Sequence, residues 1–273
     1  MTVRIEDRFA ALGESGRTGL IPFVTAGDPS PDATVAIMHA LVEAGADLIE
    51  LGVPFSDPMA DGPVIQHASE RALARGVGLA RIIHWVREFR ARDARTPVVL
   101  MGYLNPIEVH GVARFAREAR EAGVDGVLLV DCPVEEIDTT AAIRDAGLAR
   151  ILLAAPTTAD ERLGAICAAA EGFLYYVSFA GITGADRLSM DDVRTRVARI
   201  KRSAKTPVAV GFGVRDAASA SAIGAFADAV VIGSALVDRL AGSTDAADAC
   251  AKAREFLAPI RAALDARAAS HVA

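Results

Sequence analysis

The chain alternates short apolar runs with longer segments in which apolar residues recur every three or four positions. The apolar runs are rich in Val, Ile and Leu and contain few polar interruptions, which is typical of strands buried on both faces of a parallel sheet. The longer segments have a helical period, and several end in Gly, as helices commonly do. The eight apolar runs span residues 19–27, 46–55, 96–106, 124–133, 149–157, 172–181, 206–214 and 227–235.

Eight strand–helix units in 273 residues predict an α/β fold, the (βα)8 TIM barrel. The alternative is an open doubly wound sheet, which usually carries a GxGxxG turn after its first strand. The first run here ends instead in TAGDPSP, which favours the barrel. Extra helices are predicted at residues 2–13 and at about 245–268. Because no linker or low-complexity tract interrupts the pattern, residues 1–273 are expected to form a single domain.

Composition and charge argue against nucleic-acid-binding, disulfide-bonded and membrane-spanning classes of protein. The net charge of −6 argues against nucleic acid as a general partner. Cys132, Cys167 and Cys250 lie far apart, which favours reduced thiols in a cytoplasmic protein. The first residues are charged and no apolar run reaches about 18 residues, so neither a signal peptide nor a membrane span is predicted.

Two carboxylates belong to the second strand and its loop, at the barrel end where active sites of this fold lie. Glu50 interrupts an apolar run, and burial there raises a carboxyl pKa into a range that suits proton transfer. Its alternative role is that of an interior glutamate held by hydrogen bonds, which requires a partner. Asp61 lies in the loop DPMADGP, where a catalytic role and an Asx turn or helix cap are equally consistent with the spacing.

The positions of the lysines and histidines argue against two other kinds of catalysis, by a Schiff-base lysine and by a metal ion. The only lysines are Lys201, Lys205 and Lys252, and none follows a predicted strand, which excludes a Schiff-base lysine. The five histidines are scattered, so no metal site is predicted. Acid–base catalysis by carboxylates is the remaining interpretation.

Glycine-rich turns after strands seven and eight, GFGV and VIGSA, predict an anion site. Gly213, Gly233 and Ser234 offer backbone N–H groups and one hydroxyl, next to the N-terminus of a short predicted helix that binds phosphate. The alternative is that the glycines serve turn geometry alone. The loop after strand six, SFAGITGADRLS, is predicted to act as a lid, with a plain surface loop as the alternative.

Six strings in this order closely resemble signatures of the tryptophan synthase alpha chain family and cover essentially the whole barrel. They are PFVTAGDP, LIELGVPFSDPMADGPVIQ, MGYLNP, YYVSFAGITG, GFGV and VIGSA. The resemblance implies retro-aldol cleavage of indole-3-glycerol phosphate to indole and glyceraldehyde 3-phosphate, in tryptophan biosynthesis. It also implies a chain without a cofactor of its own, working beside a pyridoxal-phosphate-dependent beta chain in an α2β2 complex.

The resemblance assigns roles by position. It implies that Glu50 protonates the indole ring carbon and takes a proton from the glycerol hydroxyl, that Asp61 accepts or holds the indole N–H proton, and that Tyr175 helps to place the partners of Glu50. The other implied substrate-binding residues are Phe23 and Phe212 beside the indole, Thr183 closing toward Asp61, and Gly184, Gly213, Gly233 and Ser234 at the phosphate. The implied partner-facing residues are Pro54, Asp57 and Pro58 after strand two and Asn105 and Pro106 after strand three.

Three departures from the family pattern and three alternatives remain. Cys132 replaces a usually aliphatic residue, Phe179 stands in the lid where many members carry Arg or Leu, and Phe173 stands where some members carry Tyr. Indole-glycerol-phosphate synthase is a related barrel, but it is expected to use a strand-end lysine that this chain lacks. The other two alternatives are a non-catalytic phosphate-binding regulatory barrel and a stand-alone lyase that releases indole.

Overall fold

Eight parallel strands, each paired with its neighbours in chain order, close into a barrel. The computed structural model describes residues 3–177, 189–211 and 213–272, with side chains described up to residue 267. The predicted TIM barrel is therefore confirmed, and the open doubly wound alternative is wrong. The strands are β1 Gly19–Thr25, β2 Ile49–Gly52, β3 Val98–Gly102, β4 Gly126–Leu129, β5 Ala149–Ala154, β6 Leu174–Val177, β7 Val208–Gly211 and β8 Ala229–Ile232.

Helices surround this barrel and close one end of it. The predicted extra helices are present as α1 and α12, and the predicted short helix after the eighth strand is α11. The helices are α1 Arg4–Glu14, α2 Thr34–Glu43, α3 Pro63–Ala74, α4 Leu79–Arg90, α5 Leu104–His110, α6 Val112–Ala122, α7 Ala141–Asp145, α8 Asp160–Ala169, α9 Met190–Ser203, α10 Ala217–Gly224, α11 Ser234–Ala241 and α12 Ala246–Val272, with 3-10 helices at Pro31–Ala33 and Val134–Thr140.

Side chains along each strand alternate between the barrel interior and the layer of helices. On β2, Ile49 and Leu51 pack between the sheet and the helices, whereas Leu48 packs inside the barrel with Val99 and Leu128. Because successive side chains of a strand point to opposite faces, Glu50 shares the inward face with Leu48. The polar interruption in this apolar run therefore points into the barrel.

Short sequence signals set the ends of the outer helices. Helix α10 begins with a capping box, in which the Asp216 carboxylate accepts a hydrogen bond from the Ser219 N–H at 2.8 Å. Helix α6 ends before Gly123, whose φ of +93° lies in the left-handed region that favours glycine. These signals start and end the helices at the points where the chain leaves one strand or turns back to the next.

Helix α1 forms the floor of the barrel at the N-terminal ends of the strands. Ile5 is fully buried among interior side chains, and the Phe9 ring lies 5.8 Å from the Phe173 ring. Arg4 fastens the helix through an ion pair of 2.8 Å to the buried Asp125. The opposite end of the barrel is left for the site.

Helix α12 fastens the last part of the chain to the first strands. Its Arg261 donates hydrogen bonds to the Asp47 carboxylate at 2.9 Å and to the Thr18 carbonyl at 3.0 Å. Asp47 also accepts a hydrogen bond from the Leu20 N–H, so the ion pair is tied directly to β1. Within the described ranges of the chain, no helix is both long and apolar enough to cross a membrane.

Replacing Ile5 by Ala is expected to lower the free energy of unfolding by about 2–5 kcal/mol, because the lost side chain leaves a cavity in the barrel floor. Val3 is 59% exposed and provides the control: Val3→Ala is expected to change the same quantity by less than about 0.5 kcal/mol. Urea unfolding followed by circular dichroism measures both variants. Equal effects would contradict the role of α1 as the floor.

Candidate active site

A cavity of about 280 Å³ opens at the C-terminal ends of the strands, where active sites of this fold lie. Its wall combines two carboxylates, several apolar side chains and a glycine-rich edge. The described lining residues are Phe23, Glu50, Ala60, Asp61, Gly62, Ile65, Met101, Tyr175, Val177, Gly211, Gly213, Val214, Val231, Gly233, Ser234 and Ala235.

Glu50 is the buried carboxyl group of this cavity, with 1% of its surface exposed. Neither carboxyl oxygen has a hydrogen-bond partner among the described residues, so the alternative of a structurally hydrogen-bonded glutamate finds no support there. Burial, and then the nearby negative charge of Asp61, raise the pKa of Glu50 to about 8. Glu50 therefore keeps its proton at neutral pH and is available as an acid.

Asp61 enters the same cavity from the loop between β2 and α3. The N-cap of α3 is Gly62, and no side chain caps the helix, so Asp61 is not the helix cap that its spacing allowed. Its Oδ2 instead accepts a hydrogen bond from the Tyr103 hydroxyl at 3.2 Å. Burial raises the pKa of Asp61 to about 6, while this hydrogen bond acts in the opposite direction. Asp61 is therefore mainly ionised at neutral pH.

Tyr103 is a site residue that the sequence did not single out for a role. It follows β3 directly, and its hydroxyl accepts a hydrogen bond from the Ala60 N–H at 3.0 Å while donating to Asp61. Its ring lies 5.0 Å from the Phe55 ring. The available signal was a polar side chain at a strand end, but its contact depends on the path of the β2–α3 loop.

Two glycines make room for the aromatic walls of the cavity. A Cβ on Gly52 would meet the Phe23 ring, and a Cβ on Gly211 would overlap the Tyr175 hydroxyl. Tyr175 is buried on β6, and burial together with Glu50 raises the pKa of its hydroxyl well above the usual value. The Tyr175 hydroxyl therefore stays neutral.

The opposite edge of the cavity is suited to an anion. Gly233 is the N-cap of α11, Ser234 is its first residue, and Gly213 adopts a positive φ of +55° after β7. The described wall of the cavity contains no lysine, arginine or histidine. An anion here would be held by backbone N–H groups, the Ser234 hydroxyl and the positive end of the α11 dipole.

Comparison with known proteins shows which family this chain belongs to. The family model described as "Tryptophan synthase alpha chain" matches residues 9–265. The chain belongs to the tryptophan synthase alpha chain family. A tryptophan synthase alpha chain of Xanthomonas oryzae pv. oryzae is 60% identical over 264 residues, covering 96% of this chain and 98% of that protein. One from Xylella fastidiosa is also 60% identical, with the same coverage.

Solved structures agree with this membership of the tryptophan synthase alpha chain family. The crystal structure of tryptophan synthase subunit alpha from Legionella pneumophila is 43% identical, with a TM-score of 0.90. The alignment covers 96% of this chain and 98% of the Legionella pneumophila chain. A chain of the tryptophan synthase structure from Mycobacterium tuberculosis is 37% identical, with a TM-score of 0.86 and the same coverage.

The structure brings together most of the substrate-site residues implied by the family resemblance. Thr183, Gly184 and Phe212 lie outside the described residues, as does the predicted lid, SFAGITGADRLS, except for its last residue, Ser189. Among the described residues, no group of three or more His, Cys, Asp or Glu side chains is placed to hold a metal ion. Of the substrate-site residues that the family resemblance implies, those that line the cavity of about 280 Å³ are Phe23, Glu50, Asp61, Tyr175, Gly213, Gly233 and Ser234.

The implied partner-facing residues lie on the loop after β2 and on helix α5 after β3, at the same end of the barrel. Asp57 and Asn105 are exposed, Pro58 and Pro106 are half-buried, and Pro54 is buried. Two large apolar side chains on these segments are unusually exposed. They are Met59 at 79% and Val109 at 81%.

The carboxyl pair is arranged for proton transfer in both directions. One cavity holds a protonated Glu50 and an ionised Asp61 at neutral pH, because burial raises the two pKa values by different amounts. Pairs of titratable groups whose pKa values are pushed apart commonly divide the roles of acid and base. The site can therefore donate a proton from one side and accept one on another.

The raised pKa of Glu50 makes stability depend on pH. Between about pH 4.5 and 8 the folded chain keeps the Glu50 proton while the unfolded chain has released it, so the free energy of unfolding falls as pH rises. The slope from this group is at most about 1.4 kcal/mol per pH unit. Glu50→Gln removes the contribution, so this variant is expected to gain stability relative to wild type from about pH 5 to about pH 8.

Urea unfolding at a series of pH values measures this difference directly. Glu14→Gln is the matched control because Glu14 is exposed on α1, far from the cavity. Its stability difference from wild type is expected to stay nearly constant over the same range. A constant difference for Glu50→Gln as well would contradict the retained proton.

Proposed function

We propose that this chain cleaves indole-3-glycerol phosphate to indole and D-glyceraldehyde 3-phosphate, the retro-aldol step of tryptophan biosynthesis. The observation that carries the proposal is a single cavity with a protonated Glu50 and an ionised Asp61 on one side and the anion-binding edge of α11 on the other. Membership of the tryptophan synthase alpha chain family supports it.

The substrate would span the cavity from the glycine-rich edge to the carboxylates. Its phosphate would bind at Gly213, Gly233 and Ser234, where the α11 dipole favours negative charge. Its indole ring would lie against Phe23, with the ring N–H directed to Asp61. Thr183, Gly184 and Phe212 are proposed to add further contacts, as the family resemblance implies.

Catalysis would use the ring itself as the electron sink. Glu50 donates its proton to the ring carbon that carries the glycerol chain, and Asp61 accepts or holds the N–H proton during this tautomerisation. The ionised Glu50 then takes the proton of the adjacent glycerol hydroxyl while the carbon–carbon bond breaks. The bonding electron pair returns to the ring, Asp61 gives any proton it has taken back to the ring nitrogen, and the hydroxyl becomes the aldehyde. Glu50 ends protonated and Asp61 ends ionised, as each began.

Two features of the site support these proposed roles of Glu50 and Asp61. Glu50 is buried, has no hydrogen-bond partner among the described residues, and still carries its proton near neutral pH, so that proton is available for donation. Once ionised, the same group is a stronger base than an exposed carboxylate. Tyr175 lies beside it with a neutral hydroxyl and is proposed to position the groups around Glu50. A carboxylate pair of this kind needs neither a Schiff-base lysine nor a metal ion.

We further propose that the chain works in the cytoplasm with a tryptophan synthase beta chain, in an α2β2 heterotetramer. The contact would involve Pro54, Asp57 and Pro58 after β2 and Asn105 and Pro106 on α5. The exposed Met59 and Val109 on the same segments supply apolar surface for it. This chain is proposed to need no cofactor, the pyridoxal phosphate belonging to the beta chain.

The direct test is an assay for indole formation from indole-3-glycerol phosphate. Glu50→Gln is expected to abolish measurable activity, since a positioned acid–base group contributes about 10²–10⁴-fold and this one serves twice. Glu14→Gln is expected to retain full activity. Activity of Glu50→Gln near that of wild type would overturn the assignment of the proton shuttle.

Adding a beta chain to the same assay separates the proposed subunit from a stand-alone lyase. A subunit is expected to co-elute with the beta chain in size-exclusion chromatography and to form indole faster in its presence. A stand-alone lyase keeps the same site and is unaffected by the addition. A regulatory barrel without activity would form no indole in either condition.

Asp61→Asn is expected to lower kcat by more than it weakens substrate binding, because Asn cannot take up the charge that develops at the indole N–H. Steady-state kinetics gives kcat. Binding of an analogue without the glycerol hydroxyls, measured by calorimetry, gives the affinity. A loss confined to binding would reduce Asp61 to a residue that only positions the ring.

A further inference from the structure

A second, much smaller cavity lies behind Asp61, on the side of the carboxylate away from the glycine-rich edge. About 10 Å³ of it is open to a water-sized sphere, close to the least space that holds one water molecule. It lies between the ends of β1, β2 and β3 and the helix α3. The described lining residues are Phe23, Thr25, Gly52, Val53, Asp61, Ile65, Ser69, Met101, Gly102, Tyr103 and Val130.

Thr25 contributes an unusual hydroxyl group to this inner cavity. The residue ends β1 and is 3% exposed, and its Oγ1 is buried without a hydrogen-bond partner among the described residues. A buried hydroxyl without a partner is unfavourable, and such groups are normally satisfied by protein atoms or by ordered water. The position of Thr25 in the wall of a water-sized cavity points to water as the partner.

Further polar groups complete a site of the right kind. Ser69 on α3 is 4% exposed and lines the cavity opposite β1, and both Asp61 and the Tyr103 hydroxyl belong to its wall. Buried water molecules typically make about three hydrogen bonds to otherwise unsatisfied polar groups. The hydroxyls of Thr25 and Ser69 and the carboxylate of Asp61 supply that number.

We propose that the inner cavity binds one structural water molecule that accepts hydrogen bonds from Thr25 and Ser69 and donates one to Asp61. Thr25 is then a positioning residue that acts on the Asp61 carboxylate through this water. The water site stands independently of the reaction, whereas its effect on catalysis rests on the proposed function.

A hydrogen bond donated to a carboxylate favours its ionised form and lowers its pKa. Asp61 already accepts one from Tyr103, and the water in the inner cavity would add a second. The titratable groups that face Asp61 are Glu50 from β2, Tyr103 from β3 and Tyr175 from β6. The described walls of the two cavities contain no lysine, arginine, histidine or cysteine.

The first measurement is a high-resolution crystal structure of the wild-type chain and of Thr25→Val. The wild type is expected to show one water molecule within about 3 Å of Thr25 Oγ1 and of an Asp61 oxygen. The variant, which keeps the shape of the side chain but loses the hydroxyl, is expected to lose this water. An empty inner cavity in the wild-type density would overturn the proposal.

The second measurement is the pKa of Asp61, followed by carbon-13 NMR on chains with labelled aspartate and assigned with Asp61→Asn. Thr25→Val is expected to raise this pKa by about one unit, and Ser69→Ala to raise it by less. Thr25→Ser keeps the hydroxyl and is expected to preserve the wild-type value. Thr206→Val is the matched control, because the Thr206 hydroxyl is also buried without a described partner but precedes β7 at the opposite end of the barrel.

Activity separates this proposal from the proposed function. If the wild type forms indole, Thr25→Val is expected to lower kcat with little change in KM and to move the acidic limb of the pH profile upward. If the wild type forms no indole, the proposed function fails, while the density and the NMR titration still decide the water site. An unchanged Asp61 pKa in Thr25→Val would overturn the positioning role of Thr25.

Discussion

Burying a carboxyl group without a hydrogen-bond partner is costly unless the group keeps its proton. Glu50 is such a group, since neither of its carboxyl oxygens has a partner among the residues that the structure describes. The alternation of side chains along β2 points Glu50 into the barrel, and the apolar layer around it removes water. Most other features of the site follow from keeping this group neutral. The active end of the barrel is therefore organised around a proton that the surroundings retain.

The absence of cations from the described cavity wall is part of the same arrangement. A lysine or arginine close to Glu50 would lower its pKa and make it ionise, which would remove the acid from the site. The edge suited to an anion instead consists of Gly213, Gly233 and Ser234 at the N-terminus of α11. Helix dipoles and backbone N–H groups attract phosphate with partial charges only, so one small cavity can hold both an anion and a protonated carboxyl.

Asp61 shows how a second carboxylate acquires a different protonation state in the same cavity. It is less deeply buried than Glu50 and accepts a hydrogen bond from Tyr103, so its pKa is raised less. The loop that carries Asp61 is held by contacts with the end of β3, including the Ala60 N–H on the Tyr103 hydroxyl. The difference between the two pKa values therefore depends on β2, the end of β3 and the loop between β2 and α3 rather than on either carboxylate alone.

The amino-acid sequence by itself determined the barrel, its extra first helix and the buried carboxylate. Eight apolar runs separated by helical segments specify a parallel closed sheet, and Glu50 inside such a run has to face an apolar interior, since both signals are local periodicities. The family signatures implied which residues would surround a substrate. Only the tertiary structure decided that Asp61 is no helix cap, that Tyr103 is its hydrogen-bond donor, and that Thr25 and Ser69 share a cavity behind it. These contacts join residues tens of positions apart through the path of a Pro- and Gly-rich loop, whose course no local pattern fixes.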